Sequence, residues 1–260
     1  MLEQLEHLIQ SSPDPEVATN RLDRLCADPT ALREIERLSP ALLRDLISII
    51  STSNFLFYFL IRHPGSIMQI GRQSNPCGGD VDTIPDFKAL RHYKYEELLK
   101  ITWMDLSQSC NYTQVLNALS SLAETVIRRA LLLVLDQDDY RLVMRSLAVM
   151  ALGKLGASEL NFSSDIDLVY VSVNPEKYQG DYQDLQDTQL EAIRHLNSAL
   201  EEKTEEGFLY RVDMKLRPWG ASGPMIMAID DTEHYYEASS EPWERFAWLR
   251  ARCIAGYSAL

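Results

Sequence analysis

Ala148–Val173 reads AVMALGKLGASELNFSSDIDLVYVSV, and its texture decides the fold. Leu147–Leu152 is a short apolar strand candidate, Gly153-Lys154-Leu155-Gly156 is a tight connection, and Asp165–Val173 is a second strand. Asp165 and Asp167 interrupt that second strand at i and i+2, so in a strand their carboxylates leave the same face. Alternation on a half-exposed strand would also turn two aspartates to water. Aspartate is disfavoured in strands, however, and a third acid, Asp213, breaks another apolar stretch, Phe208-Leu-Tyr-Arg-Val-Asp-Met-Lys-Leu216. Carboxylates that converge repel one another unless a cation lies between them, and hard oxygen ligands suit Mg²⁺ or Mn²⁺. The set Asp165, Asp167 and Asp213 therefore points to phosphoryl or nucleotidyl chemistry on a two-metal site.

The neighbouring residues extend that reading. Gly153 and Gly156 let backbone N–H groups approach phosphate oxygens, and Lys154 adds charge. Neither GxxxxGK[ST] nor GxGxxG is present, and a plain tight turn would use the same glycines. In Arg211-Val-Asp213-Met-Lys215-Leu-Arg217, alternation places three bases and one acid on one face, acid for metal and bases for phosphate. An exposed, salt-bridged strand would read the same way. Pro218–Pro224 is a turn-rich loop suited to covering a nucleotide.

Working outward, the first half is helical. Leu2, Leu5, Leu8 and Ile9 form a stripe. Asp14-Pro15, Asp28-Pro29 and Ser39-Pro40 each set a capping residue before a proline, the favoured order for a helix start. Ala41–Ile61 is apolar enough to pack inside. Arg72–Asp86 reads as a loop, Phe87–Leu106 and Thr113–Asp136 as longer helices. Beyond the acid pair, Gln183–Glu206 reads as a helix, Phe208–Leu216 as a third strand, Pro224–Ile229 as a fourth, and Asp231–Arg252 as a return to helix. These assignments predict a helical region over residues 1–140 and an α+β domain over 141–260.

The 260 residues carry a formal net charge of −13, which lacks the basic footprint of a nucleic-acid binder. Four cysteines, Cys26, Cys77, Cys110 and Cys253, are scattered with no CxxC pair. Neither a zinc site nor a disulfide framework is expected, which fits a cytoplasmic setting. The N-terminus lacks the pattern of a signal peptide, and Ser51–Ile61 is too short to span a bilayer.

The segments GKLGASELNFSSDIDL, RVDMKLRPWGASGP and WERFAWLRAR, together with YEELLKITWMDL and ALSSLAETVIRRAL in the helical half, resemble the glutamine synthetase adenylyltransferase/adenylyl-removing family. The resemblance implies a nucleotidyltransferase-fold (polymerase-beta-like) mixed sheet with flanking helices. DMKLRPWGASGP and EHYYEASSEPWERFAWLRAR are most similar to the N-terminal half of that family. That half removes AMP from a tyrosine of glutamine synthetase by phosphorolysis, releasing ADP; the other half attaches AMP from ATP. By position the resemblance makes Asp165, Asp167 and Asp213 the metal ligands and catalytic acids. Gly153, Gly156, Ser163 and Ser164 form its phosphate-binding turn. Charge alone adds Lys154, Lys215 and Arg217. It implies Mg²⁺ or Mn²⁺, ADP or ATP and inorganic phosphate as reaction components, with glutamine synthetase and the signal protein PII as partners. Ala157 departs from the family's Gly or Ser, and the family continues past Leu260, so the catalytic domain is expected to be truncated. AMP attachment by the same core, and a catalytically silent docking module, stay open at this point.

Overall fold

A computed structural model describes residues 2–75 and 81–257 of the chain. It divides into two compact units, Met1–Asn75 with His92–Ala118, and Pro76–Arg91 with Leu119–Leu260. The division falls inside two helices, not near residue 140.

The first unit is helical: α1 (Leu2–Gln10), α2 (Pro15–Cys26), α3 (Pro29–Glu36), α4 (Pro40–Thr52), α5 (Asn54–Arg62), and parts of α6 (Phe87–Leu106) and α7 (Tyr112–Val134). All three capping sites act as the sequence implies. Asp14 accepts from Val17 N, Asp28 from Thr30 N and Ala31 N, and Ser39 from Leu42 N. The apolar run over 41–61 does pack inside, but as two helices. Ser53 ends α4 through its N–H to Ile49 O and caps α5 by accepting from Leu56 N. Leu46, Ile47, Ile49, Ile50, Phe57, Phe59 and Leu60 form the core with Ile67, Tyr95 and Leu99. Among the described residues no single helix is long and apolar enough to cross a membrane. The α4–α5 pair passes by length and composition only, bent by 115°.

The second unit holds the rest of α6 and α7, then α8 (Gln137–Ser146), β1 (Leu147–Ala151), α9 (Gly153–Gly156), β2 (Ile166–Ser172), α10 (Tyr182–Glu201), β3 (Val212–Asp213), β4 (Ile226–Ala228), α11 (Ile229–Ala238), α12 (Pro242–Trp248) and β5 (Arg252–Gly256). Residues 119–134 of α7 belong here because they tie to the sheet segments. Ser120 Oγ accepts from Leu160 N at 3.0 Å, and Arg128 Nε donates to Ile254 O at 2.9 Å. α8 was not legible as a separate helix; Asp136 caps it by accepting from Asp138 N and Asp139 N.

The sheet is mixed and five-stranded, ordered β3-β2-β1-β5, with β4 also on β2. β1 runs antiparallel to β2 and to β5. β3 and β4 run parallel to β2 on its remaining edge, β3 at Ile166–Asp167 and β4 at Tyr170–Ser172. Alternation puts Asp167, Val169 and Val171 on one face. There Val169 and Val171 pack with Leu152, Leu216, Ile229, Ala247 and Trp248. On the other face, Tyr170 donates to Asn197 of α10 at 2.6 Å.

Two sequence expectations give way here. The third strand is two residues long instead of nine. Leu209 N and Tyr210 N both donate to Leu200 O, closing the C-terminal end of α10, and Lys215 N donates to the Asp213 side chain, turning the chain after Asp213. The helix expected over 231–252 is two helices and a strand. A capping box between Glu241 and Glu244, with Pro242 at the first turn, restarts the chain as α12, and Arg252–Gly256 is drawn into the sheet by β1. The loop expected over 72–86 is irregular up to residue 75 and a 3-10 turn at Val81–Thr83; residues 76–80, with Cys77, lie outside the described residues. Cys26, Cys110 and Cys253 are unpaired.

Candidate active site

The turn after β1 is built around the strand that follows it. Leu152 N donates to Asp167 O at 3.0 Å, and the chain then makes the single helical turn α9. Gly153 has φ +54, and a Cβ there would lie 2.2 Å from Asp167 Oδ2. Only a residue without a side chain leaves room for that carboxylate in that conformation. Gly156 is equally confined, since a Cβ would lie 2.6 Å from both Ala151 O and Arg250 O. The two glycines are thus a seat for Asp167 and a close packing point for the chain after α12.

Asp167 and Asp213 are direct partners in the parallel β2–β3 register, so backbone pairing of two distant segments sets two acids side by side. Asp165 lies just before β2 and pairs with Arg211, whose Nη2 also donates to Ser163 O at 3.2 Å. Lys215 closes a turn onto Asp213, donating from its backbone N at 2.8 Å and from Nζ at 3.0 Å. Lys154 Nζ reaches Ser164 Oγ at 3.4 Å, and Ser164 in turn donates to Asn161 Oδ1.

The electrostatics follow from this layout. Burial, and then the facing Asp213 and Asp165 carboxylates, push the Asp167 carboxyl above the usual carboxylate range, with Lys154 and Lys215 pulling the other way. Burial would also raise Asp213, but the N–H groups of Lys215 outweigh it and hold that carboxyl low. The bond to Asp213 raises the Lys215 ammonium in return. No donor among the described residues is bonded to the Asp167 carboxylate.

The expected residues are therefore mostly gathered, with two differences. Gly153, Lys154, Ser164, Asp165, Asp167, Asp213 and Lys215 form one cluster, whereas Ser163 offers its backbone carbonyl to Arg211. Arg217 is engaged elsewhere. Its guanidinium donates to Met214 O at 2.9 Å, Ala221 O at 3.2 Å and Gly223 O at 3.3 Å, holding the loop after β3. The structure adds Arg211 and Asn161 as ties on Asp165 and Ser164. Arg211 was visible in the sequence as a base on the segment of Asp213, but its partner was not.

Among the described residues no group of three His, Cys, Asp or Glu side chains is arranged to hold a metal ion. Arg211 and Lys215 take up Asp165 and Asp213. The donor chemistry nevertheless fits a hard divalent cation: all three candidates are carboxylates, and Asp167, crowded by the other two, has an oxygen set with no hydrogen-bond donor.

Comparison with known proteins places the chain in a family. The model of the glutamate-ammonia ligase adenylyltransferase family matches residues 43–260. The chain belongs to that family. Three relatives are named bifunctional glutamine synthetase adenylyltransferase/adenylyl-removing enzymes. That of Nitrosococcus oceani is 36% identical over 178 residues, 64% of this chain and 18% of the relative. That of Shewanella loihica is 33% identical over 249 residues, 86% and 26%. That of Thioalkalivibrio sulfidiphilus is 32% identical over 263 residues, 88% and 27%. This member of the adenylyltransferase family thus spans about a quarter of the longer-matched relatives.

Proposed function

We propose that the chain is a nucleotidyltransferase-fold catalytic module that removes AMP from an adenylylated tyrosine of glutamine synthetase by phosphorolysis, releasing ADP. The register pairing of Asp167 with Asp213, beside a glycine seat and two lysines, is the observation that carries it. In this reading Asp167 and Asp213, with Asp165, hold Mg²⁺ or Mn²⁺. A bound divalent cation would neutralise phosphate charge and polarise the phosphorus for attack. Lys154 and Lys215 flank the acids as phosphate-facing cations, and the turn at Gly153 seats the Asp167 carboxylate between them. A phosphate oxygen forms a new bond to the α-phosphorus, the phosphorus–tyrosyl oxygen bond breaks, and the tyrosyl oxygen takes a proton from solvent. The protein's contribution is alignment and charge neutralisation.

The test uses the full chain with adenylylated glutamine synthetase, Mg²⁺ and inorganic phosphate, following ADP release. Phosphate-dependent ADP is expected, and Asp213→Asn should lower the rate about a hundredfold or more. A parallel arm supplies unmodified glutamine synthetase and ATP. AMP attachment in that arm without ADP release in the first would reverse the direction of the proposed reaction. No turnover in either arm, from a folded chain that binds glutamine synthetase, would make it a docking module.

A further inference from the structure

Trp219 occupies a costly position. It is 53% exposed and adopts a left-handed backbone conformation with φ 57 and ψ 17, which is strained for a bulky residue. The loop around it is tied down to keep that conformation. Besides the three carbonyls held by Arg217, Gly220 N donates to Arg217 O at 2.8 Å and Ser222 N to Trp219 O at 3.2 Å. Gly223 fits so closely that a Cβ there would lie 1.9 Å from Pro218 O.

The indole is also mounted on fixed rings. Trp219 and Tyr235 stand 4.6 Å apart, Tyr235 and Tyr236 5.1 Å, Tyr236 and Trp248 5.0 Å. Tyr235 donates to Glu244 Oε1 at 2.8 Å and Tyr236 to Leu216 O at 2.8 Å. An exposed ring held this rigidly loses little freedom when something stacks on it.

Its location connects it to the acids. Gly220, the next residue, lies against Lys215 O, which a Cβ would meet at 3.4 Å, and Lys215 is bonded to Asp213. The series of tilted rings ends on Trp248, which packs with Val169 and Val171 on the sheet face shared by Asp167. A flat exposed aromatic surface on the loop that leaves the Asp213 strand suits a nucleobase, because every base presents a π-face to a stacking side chain.

We infer that Trp219 is the base platform of this site, stacking the adenine of the adenylyl group while the phosphates face Lys154 and Lys215. This rests on the nucleotidyl-transfer reading and names the residue that holds the base. Binding of ADP and of inorganic pyrophosphate, each with Mg²⁺, separates base from phosphate. Isothermal titration of the wild type, Trp219→Ala, Trp219→Phe and Asp213→Asn supplies the Kd values, with melting curves to establish that each variant folds. Trp219→Ala should weaken ADP roughly tenfold or more and Trp219→Phe about threefold or less, with pyrophosphate unchanged in both. Asp213→Asn should weaken both ligands. Equal weakening of ADP and pyrophosphate in Trp219→Ala, or an unchanged ADP Kd, overturns the platform and leaves the acid site standing. Absence of Asp213-dependent binding of either ligand to the wild type overturns the nucleotidyl reading and the platform with it.

Discussion

Asp45 in the helical unit and Asp167 in the sheet unit are both drawn out of water, and their surroundings differ in kind. Asp45 is 8% exposed, yet Trp103 Nε1 donates to its Oδ2 at 2.9 Å and Arg44 to its Oδ1 at 3.2 Å. Glu97 in the same unit is likewise surrounded, by Ser74 Oγ at 2.7 Å, Asn75 N at 3.2 Å and Lys100 Nζ at 2.6 Å. These acids are satisfied where they stand, and they fasten helices and the segment at Ser74 and Asn75. Asp167 instead faces two further carboxylates and has no donor among the described residues. The first arrangement stabilises a fold; the second holds charge in readiness for something that is not part of the chain.

The sharpest way to break this contrast is Gly153→Ala. The new methyl would enter the space of Asp167 Oδ2 at a positive φ. Phosphorolytic activity should fall to the level of Asp213→Asn, while stability drops by only about 1–2 kcal/mol, read by urea unfolding. Full activity in this variant would mean that Asp167 is free to move and its seat is incidental.

A second effect should appear in the helical unit as a function of pH. Burial pushes the Lys94 ammonium down to about 7, well below the ordinary lysine range. Because the folded value lies below the unfolded one, the unfolded chain binds more protons between those limits, so stability rises with pH across that window. The stability of the wild type relative to Lys94→Met should therefore increase from about pH 7 to about pH 10 and stay level below pH 7. A flat difference would place the Lys94 ammonium in contact with water.

Asp45→Ala comes next. Losing the acceptor strands the half-buried Trp103 N–H, at about 1–3 kcal/mol, with activity per folded molecule unchanged. If this variant folded stably but lost activity, the division between fastening acids and waiting acids would fail. The smallest effect is Asp28→Ala, which removes the cap on two N–H groups and should cost about 1 kcal/mol, seen as a modest shift of the urea midpoint with no kinetic change.

The same contrast explains what could be read in advance. The helix starts at Asp14, Asp28 and Ser39 are written within four residues of chain, and all three caps form as expected. The mixed α+β character, β1, β2 and the gathering of the acids with Lys154 and Lys215 were also legible, because alternation and the glycine turn are local signals. What failed depends on distant partners. β5 is a strand only because β1 offers it an edge, and its sequence Arg-Cys-Ile-Ala-Gly continues a helical segment on paper. β3 is short because the Asp213 side chain turns the chain through Lys215 N. Asp165 and Asp167 were expected to act as an i, i+2 pair. Asp165 instead lies outside the strand with Arg211, and Asp167 finds its closest companion in Asp213 through strand register.

The placement of β3 and β4 on one edge of β2 has a further consequence. Both ends of the intervening segment, residues 214–225, are stitched to a single strand, one at Asp167 and the other at Tyr170. Such an arc behaves like a drawbridge with both abutments on the same bank. Its span can lengthen or shorten without displacing either footing, because closing a longer loop adds little entropy cost. Homologues can therefore diversify what the arc carries while the acid on its first footing keeps its place.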